Sequence, residues 1–130
     1  MQTRCFFVSD LHGSPERYDK LFQTIAKERP QAVFIGGDIL SGPLNAPSSL
    51  GGPQNFIAEV LAEKLSALKQ SLPKTFPRIF LILGNDDPRA YETSLHLLEK
   101  RNLVEYIHNR CVSFHQYTVF GYAYVVPTPF

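Results

Sequence analysis

Three short polar motifs in this chain each follow an apolar run rich in β-branched and aromatic residues, which is typical of a buried strand. The motifs are Asp10-Leu11-His12 after Cys5–Val8, Gly36-Gly37-Asp38 after Ala32–Ile35, and Gly84-Asn85-Asp86-Asp87 after Ile79–Leu83. Open α/β proteins bind ligands beyond the carboxyl ends of parallel strands, so side chains that follow such strands converge on one place. The sequence therefore predicts one site built from several strand ends.

The length and charge of the chain limit its class. The 130 residues fit one domain, spanning 1–130, and the formal net charge of +1 gives no basis for binding nucleic acid or membranes through a basic surface. Cys5–Val8 is too short for a signal peptide or a membrane span, so we expect a cytoplasmic protein. Cys5 and Cys111 lie in strand-like runs without metal-binding spacing, so we expect buried, reduced thiols.

The first half of the chain predicts alternating strands and helices. Ser14-Pro15-Glu16 supplies an N-cap, a proline and an acid at the start of a helix that Pro30 ends. A Gly-, Pro- and Ser-rich loop covers Ser41–Pro53, and an apolar stripe from Phe56 to about Leu72 predicts a second helix. Helix-length connections favour parallel strand pairing.

The second half begins with Ile79–Leu83, which is apolar throughout, as expected for a central parallel strand. Asp87-Pro88 predicts the start of a third helix that ends near Asn102. Short strand-like runs then follow at Val104–Ile107, Cys111–Phe114 and Tyr117–Val126, with tight turns at Asn109-Arg110 and His115-Gln116. The predicted fold is therefore α/β, with a βαβαβ part followed by a C-terminal hairpin or β meander.

Each polar motif alone is ordinary, because Asp and Asn often serve only as helix caps or turn formers. Together, Asp10, Asp38, Asp86 and Asp87 would crowd carboxylates at one sheet edge with Arg89 as the only nearby cation, and such repulsion requires a bound cation. Carboxylate, imidazole and amide ligands suit Mn, Fe, Zn or Mg. Two divalent ions bridged by one carboxylate can clamp a phosphoryl group, and Asp38 follows the middle strand of the three.

The order D-x-H, G-G-D and G-N-x-D, each at a strand end, resembles the calcineurin-like metallophosphoesterases. The segment Gly121–Phe130 is also similar to one found in small bacterial and archaeal members. The resemblance implies an α/β sandwich that hydrolyses a phosphomonoester or phosphodiester with hydroxide activated by two metal ions. It implies that Asp10 and His12 bind the first ion, that Asp38 bridges, and that Asn85 binds the second ion and leans towards the phosphate of the substrate.

The sequence departs from the family pattern in two places. Many members carry a histidine that protonates the leaving group where this chain has Asp86, which could donate a proton only with a raised pKa. The family's C-terminal Gly-His-x-His motif is absent, and His96, His108 and His115 do not stand in its place. We therefore expect a chain that lacks the family's C-terminal half, with one apolar sheet face exposed and covered by self-association.

Two other classes of function compete with the phosphoesterase. The substitution at position 86 favours a non-catalytic interaction scaffold of the same fold, although a scaffold has no physical need for the mutually repelling acidic set. A nucleotide-binding α/β domain is the third possibility, but no Gly-rich phosphate loop precedes any of the predicted helices.

Overall fold

A computed structural model describes residues 2–40 and 56–124 of the chain, which alternates strands and helices over most of this length. In chain order the elements are β1 (Cys5–Val8), α1 (Pro15–Glu28), β2 (Ala32–Ile35), a π-helical segment (Phe56–Leu61) continuous with α2 (Ala62–Ser71), β3 (Arg78–Leu81), a 3-10 turn (Arg89–Tyr91), α3 (Glu92–Lys100), β4 (Glu105–Tyr106), β5 (Cys111–Phe114) and β6 (Tyr117–Phe120). The predicted loop Ser41–Pro53 lies outside the described residues, as does the end of the predicted strand Tyr117–Val126.

The first four strands form one parallel sheet in the order β1-β2-β3-β4. In its register, Phe34 of β2 pairs with Phe7 of β1 on one side and with Phe80 of β3 on the other. The three strands that precede the polar motifs are therefore neighbours, with the strand before Asp38 in the middle. The predicted parallel α/β arrangement is confirmed.

The first two helices form where their sequence signals predict. Ser14 caps α1, since its hydroxyl accepts a hydrogen bond from the Arg17 amide, and Pro15 occupies the first helical position. The helix ends at Glu28, and the left-handed φ of 48° at Arg29 turns the chain out of the helix one residue before Pro30. Both helices pack their apolar residues on one face of the sheet in the main hydrophobic core.

The third helix does not start as predicted. The Asp87 side chain caps no helix, and the chain passes through the 3-10 turn before α3 begins at Glu92. Asp87 instead accepts hydrogen bonds from backbone amides of two different loops. The Asp-Pro pattern fits a cap locally, but these tertiary partners compete successfully for the carboxylate.

The C-terminal part contains a hairpin rather than a full meander. β4 joins the parallel sheet beside β3, whereas β5 and β6 form a separate antiparallel pair. Asn109 and His115 adopt left-handed φ angles in the two predicted turns. Apolar hairpin residues pack on the second face of the sheet, in a smaller core that includes Phe80 and Phe114.

The hairpin leaves part of this second face uncovered. The Phe7 side chain is 75% exposed on edge strand β1, and Phe120 is 57% exposed on β6. Both rings line an apolar groove that also includes Phe34 and Tyr122. Within residues 2–40 and 56–124, the face predicted to be apolar is thus covered over its centre and open beside β1.

Both thiols were predicted to be buried, and this prediction is wrong. Cys5 and Cys111 are exposed and free. Cys5 is exposed on edge strand β1, where the next residue, Phe6, is only half-buried, and Cys111 begins the outer hairpin, so neither side chain reaches the core.

Among the described helices, none is long and apolar enough to cross a bilayer.

We expect the chain to self-associate through the uncovered face, because contiguous exposed aromatic residues are unfavourable in water. Light scattering should give a mass above that of one chain. Phe7→Ser should shift the mass towards a single chain, whereas Leu97→Ser, which alters a 53% exposed leucine on α3, should not. A wild-type mass of one chain at high protein concentration would contradict the prediction.

Candidate metal centre

Three of the predicted metal ligands meet at the carboxyl edge of the sheet. Asp10, His12 and Asp38 each offer one ligand atom, and these atoms all lie within 4.8 Å of one another. His12 Nε2 is 3.5 Å from Asp10 Oδ1. Within the part of the chain that the structure describes, no other group of three or more acidic, histidine or cysteine side chains has this spacing.

All three residues adopt a left-handed backbone, with φ of 58° at Asp10, 47° at His12 and 52° at Asp38. Non-glycine residues rarely adopt this conformation, and its recurrence at ligand positions is typical of a functional site. The two loops also bind each other directly, because the His12 amide donates to the Asp38 carbonyl at 2.8 Å. The backbone therefore aims three side chains from two loops at one point.

Two glycines allow the loops after β2 and β3 to touch. A Cβ at Gly37, whose φ is +106°, would lie 2.7 Å from the Gly84 Cα. A Cβ at Gly84 would lie 2.2 Å from Asp38 Oδ1. The glycines of the second and third motifs are thus required for close backbone approach beside the cluster.

Asn85 and Asp86 lie in the loop that contacts Asp38, and both are exposed. The Asp86 amide donates to Asp38 Oδ1 at 3.1 Å, which places the backbone of this loop against the cluster. Their predicted roles, metal binding and phosphate contact for Asn85 and proton donation for Asp86, stay predictions. Asp87 is different, because its carboxylate is buried and bound to backbone amides.

The two clustered carboxyl groups differ in electrostatic environment. Burial raises the pKa of Asp38, as do the negative charges of Asp87 and Asp86, and the Asp86 amide offsets part of this effect. The Ser9 hydroxyl donates a hydrogen bond to the Asp10 carboxylate at 2.6 Å and lowers the pKa of Asp10. His12 also lowers this pKa, whereas desolvation raises it by less than Ser9 lowers it. Negative charges therefore lie close together around Asp38, and a bound cation would reduce the repulsion between them.

The prediction that Arg89 is the only cation near the cluster is wrong. Arg17 donates from Nη1 to the Asp10 carbonyl at 2.7 Å, because α1 turns this side chain back over the first loop. Arg89 instead pairs with Glu92 and stacks on the Tyr124 ring. Seven positions separate Arg17 from Asp10, and its approach to the loop depends on the tertiary path of the helix.

The remaining histidines are not part of the cluster. His96 bonds to Glu99 within α3, the His108 Nδ1 accepts from the Ala123 amide, and His115 lies in the hairpin turn. His108 nevertheless follows β4 of the parallel sheet, a strand that the sequence predicts in the C-terminal hairpin or meander.

The donor set suits a divalent transition ion. It supplies two carboxylates and one imidazole, and such mixed oxygen and nitrogen sets favour Mn, Fe or Zn, with Mg as the harder alternative. The residues present therefore fit a divalent metal ion.

A sequence model described as calcineurin-like phosphoesterase matches residues 3–126. The chain belongs to the calcineurin-like phosphoesterase family. A solved crystal structure shares the fold with a TM-score of 0.61 and 16% identity, over 94% of this chain and 53% of that one. The chain thus spans about half the length of that relative. No curated protein matches it in sequence.

Replacing Gly84 with alanine should weaken metal binding, because the new Cβ would collide with the Asp38 carboxylate. We expect the Mn dissociation constant to rise about tenfold or more, the range found when groups that orient metal ligands are disturbed. Calorimetric titration with Mn measures the effect. Gly121→Ala is the matched control, since its Cβ would collide with the Ile107 carbonyl in the C-terminal region. Equal losses in both variants would contradict the assignment.

Proposed function

We propose that this chain contains the catalytic metal centre of a phosphoester hydrolase that acts on a phosphomonoester or phosphodiester. The observation that supports the proposal most is the clustering of Asp10, His12 and Asp38 at the carboxyl edge of the sheet in a member of this family. Divalent ions at such a centre polarise a phosphoryl oxygen and make water a better nucleophile at neutral pH.

The chain's residues would divide the binding work between two ions, which we propose to be Mn, Fe, Zn or Mg. Asp10 and His12 would hold the first ion, and Asp38 would serve both ions, since the loops after β1 and β3 each donate a hydrogen bond to this residue. Asn85 would offer its amide oxygen to the second ion and its amide hydrogens to the phosphate of the substrate. Neutral amide donors suit an anionic substrate in a site already rich in carboxylates.

Asp86 is our candidate for proton donation to the leaving group. Its side chain is exposed, and its amide is bound to the Asp38 carboxylate, so the residue lies beside the proposed reaction centre. Carboxyl groups in general deliver a proton less readily at neutral pH than the histidine that other members carry here. The proposed enzyme therefore favours esters whose leaving group departs without full protonation.

Asp38→Asn should abolish both Mn binding and hydrolysis, because it removes a charged ligand from the centre. Metal content after dialysis measures the first effect, and release of nitrophenol from bis(nitrophenyl) phosphate measures the second. Asp19→Asn is the matched control, since Asp19 is an exposed α1 residue that pairs with Lys64 and not with the cluster. Unchanged Mn content in Asp38→Asn would refute the assignment.

Asp86→Asn should slow hydrolysis of an alkyl phosphodiester by about 10²-fold, the lower end for general acid catalysis. Hydrolysis of the nitrophenyl ester should change little, because its leaving group needs no proton. The comparison of kcat for the two esters, at equal Mn occupancy, measures the effect. An equal loss for both esters would indicate a different role for Asp86.

An interaction scaffold remains the second candidate, favoured by the aspartate at position 86. The two candidates differ in one measurable respect. Wild-type protein loaded with Mn that hydrolyses neither aryl nor alkyl esters would favour the scaffold, whereas hydrolysis that Asp38→Asn removes would exclude it.

A further inference from the structure

The Asp87 carboxylate lies between two of the loops that build the metal centre. Its Oδ2 accepts hydrogen bonds from the Ile39 amide at 3.0 Å and the Gly84 amide at 2.8 Å, and its Oδ1 accepts from the Leu40 amide at 2.9 Å. The residue is only 5% exposed. Both oxygens are therefore used, and all three donors are backbone groups.

These donors flank Asp38 on two sides. Ile39 and Leu40 directly follow it in the loop after β2, so their amides fix the chain on its C-terminal side. Gly84 belongs to the loop after β3, whose Asp86 amide contacts the Asp38 carboxylate. One side chain thus fixes both the backbone that carries Asp38 and the loop that contacts its ligand atoms.

The backbone at Asp38 requires such support. Its left-handed φ of 52° is unfavourable for aspartate. Hydrogen bonds from neighbouring groups stabilise a residue in such a left-handed conformation. The carboxylate of Asp87 accepts two of them, from the amides of Ile39 and Leu40, which lie 48 and 47 positions away in the sequence.

We propose that Asp87 is a positioning residue of the metal centre, which holds the loops after β2 and β3 together and so sets the place of Asp38. The effect of Asp87 on metal binding, as part of this proposal, rests on the proposed function. The side chain has no competing task in the following helix, since the 3-10 turn and α3 have no side-chain cap.

The variant Asp87→Asn tests the proposal with minimal change in shape. An amide offers one oxygen in place of two, and its NH₂ group would face a backbone N–H donor. We expect the Mn dissociation constant of the folded protein to rise about 10- to 100-fold, as for other groups that orient metal ligands. Circular dichroism at the titration temperature establishes that the variant is folded.

Leu98→Ala is the control for a purely structural role. Leu98 is 2% exposed in α3, so its truncation destabilises the main core without changing a hydrogen bond of either loop. We expect its Mn affinity to match the wild type. Equal affinities in wild type and Asp87→Asn, or equal losses in Asp87→Asn and Leu98→Ala, would overturn the proposal.

Amide hydrogen exchange without metal provides a second readout. In Asp87→Asn the amides of Ile39, Leu40 and Gly84 should exchange faster than in the wild type, while core strand amides change less. Unchanged exchange at all three amides would overturn the proposal. If the wild type binds no Mn, the proposed function fails, and these exchange rates still decide whether Asp87 holds the two loops together.

Tyr18→Phe covers the case in which Asp87→Asn does not fold. The Tyr18 hydroxyl donates to the Ile39 carbonyl at 2.8 Å, so its removal loosens the same segment from the other side. We expect a smaller loss of Mn affinity, with faster exchange at Ile39 and Leu40. Wild-type affinity together with faster exchange would show that the position of this segment does not control metal binding, and would overturn the proposal.

Discussion

The peptide groups of Ile39 are the junction on which the candidate site depends. The amide of Ile39 donates to the Asp87 carboxylate from the loop after β3. Its carbonyl accepts from the Gly13 amide of the first loop and from the Tyr18 hydroxyl of α1. All three strand-end loops therefore meet at one residue whose own side chain is fully buried. A buried junction of this kind fixes the loops relative to the sheet, and so relative to one another.

The cluster carries two local costs, and this junction offsets the first of them. Left-handed backbone at Asp10, His12 and Asp38 is unfavourable by about 1–3 kcal/mol for each residue. The second cost is electrostatic, because burial and neighbouring carboxylates both disfavour the ionised form of Asp38. Neither arrangement improves packing in the core. A divalent cation bound between these atoms would relieve the charge and would account for the coincidence of both costs at one place.

Much of this architecture follows from local sequence signals. The apolar runs before Asp10 and Asp38 and the Ser14-Pro15 cap depend on nearest neighbours, so the strands and α1 were predictable. Interactions between distant residues were not. Asp87 has the sequence of a helix cap but binds amides 47 and 48 positions away, and Arg17 reaches the Asp10 carbonyl only because of the path of α1. The pairing of β4 with β3 is likewise nonlocal.

The acidic residues of the third motif perform different tasks although they are adjacent. Asp87 points inward and is fully used by backbone amides, so it adds negative charge near Asp38 without offering a free oxygen. Asp86 points to solvent, and only its amide is committed to the cluster. On the roles proposed for them, Asp87 would affect metal affinity through the position of Asp38, and Asp86 would affect turnover through its proton. A scaffold would need neither property, which is why metal affinity and leaving-group dependence together separate the two functions.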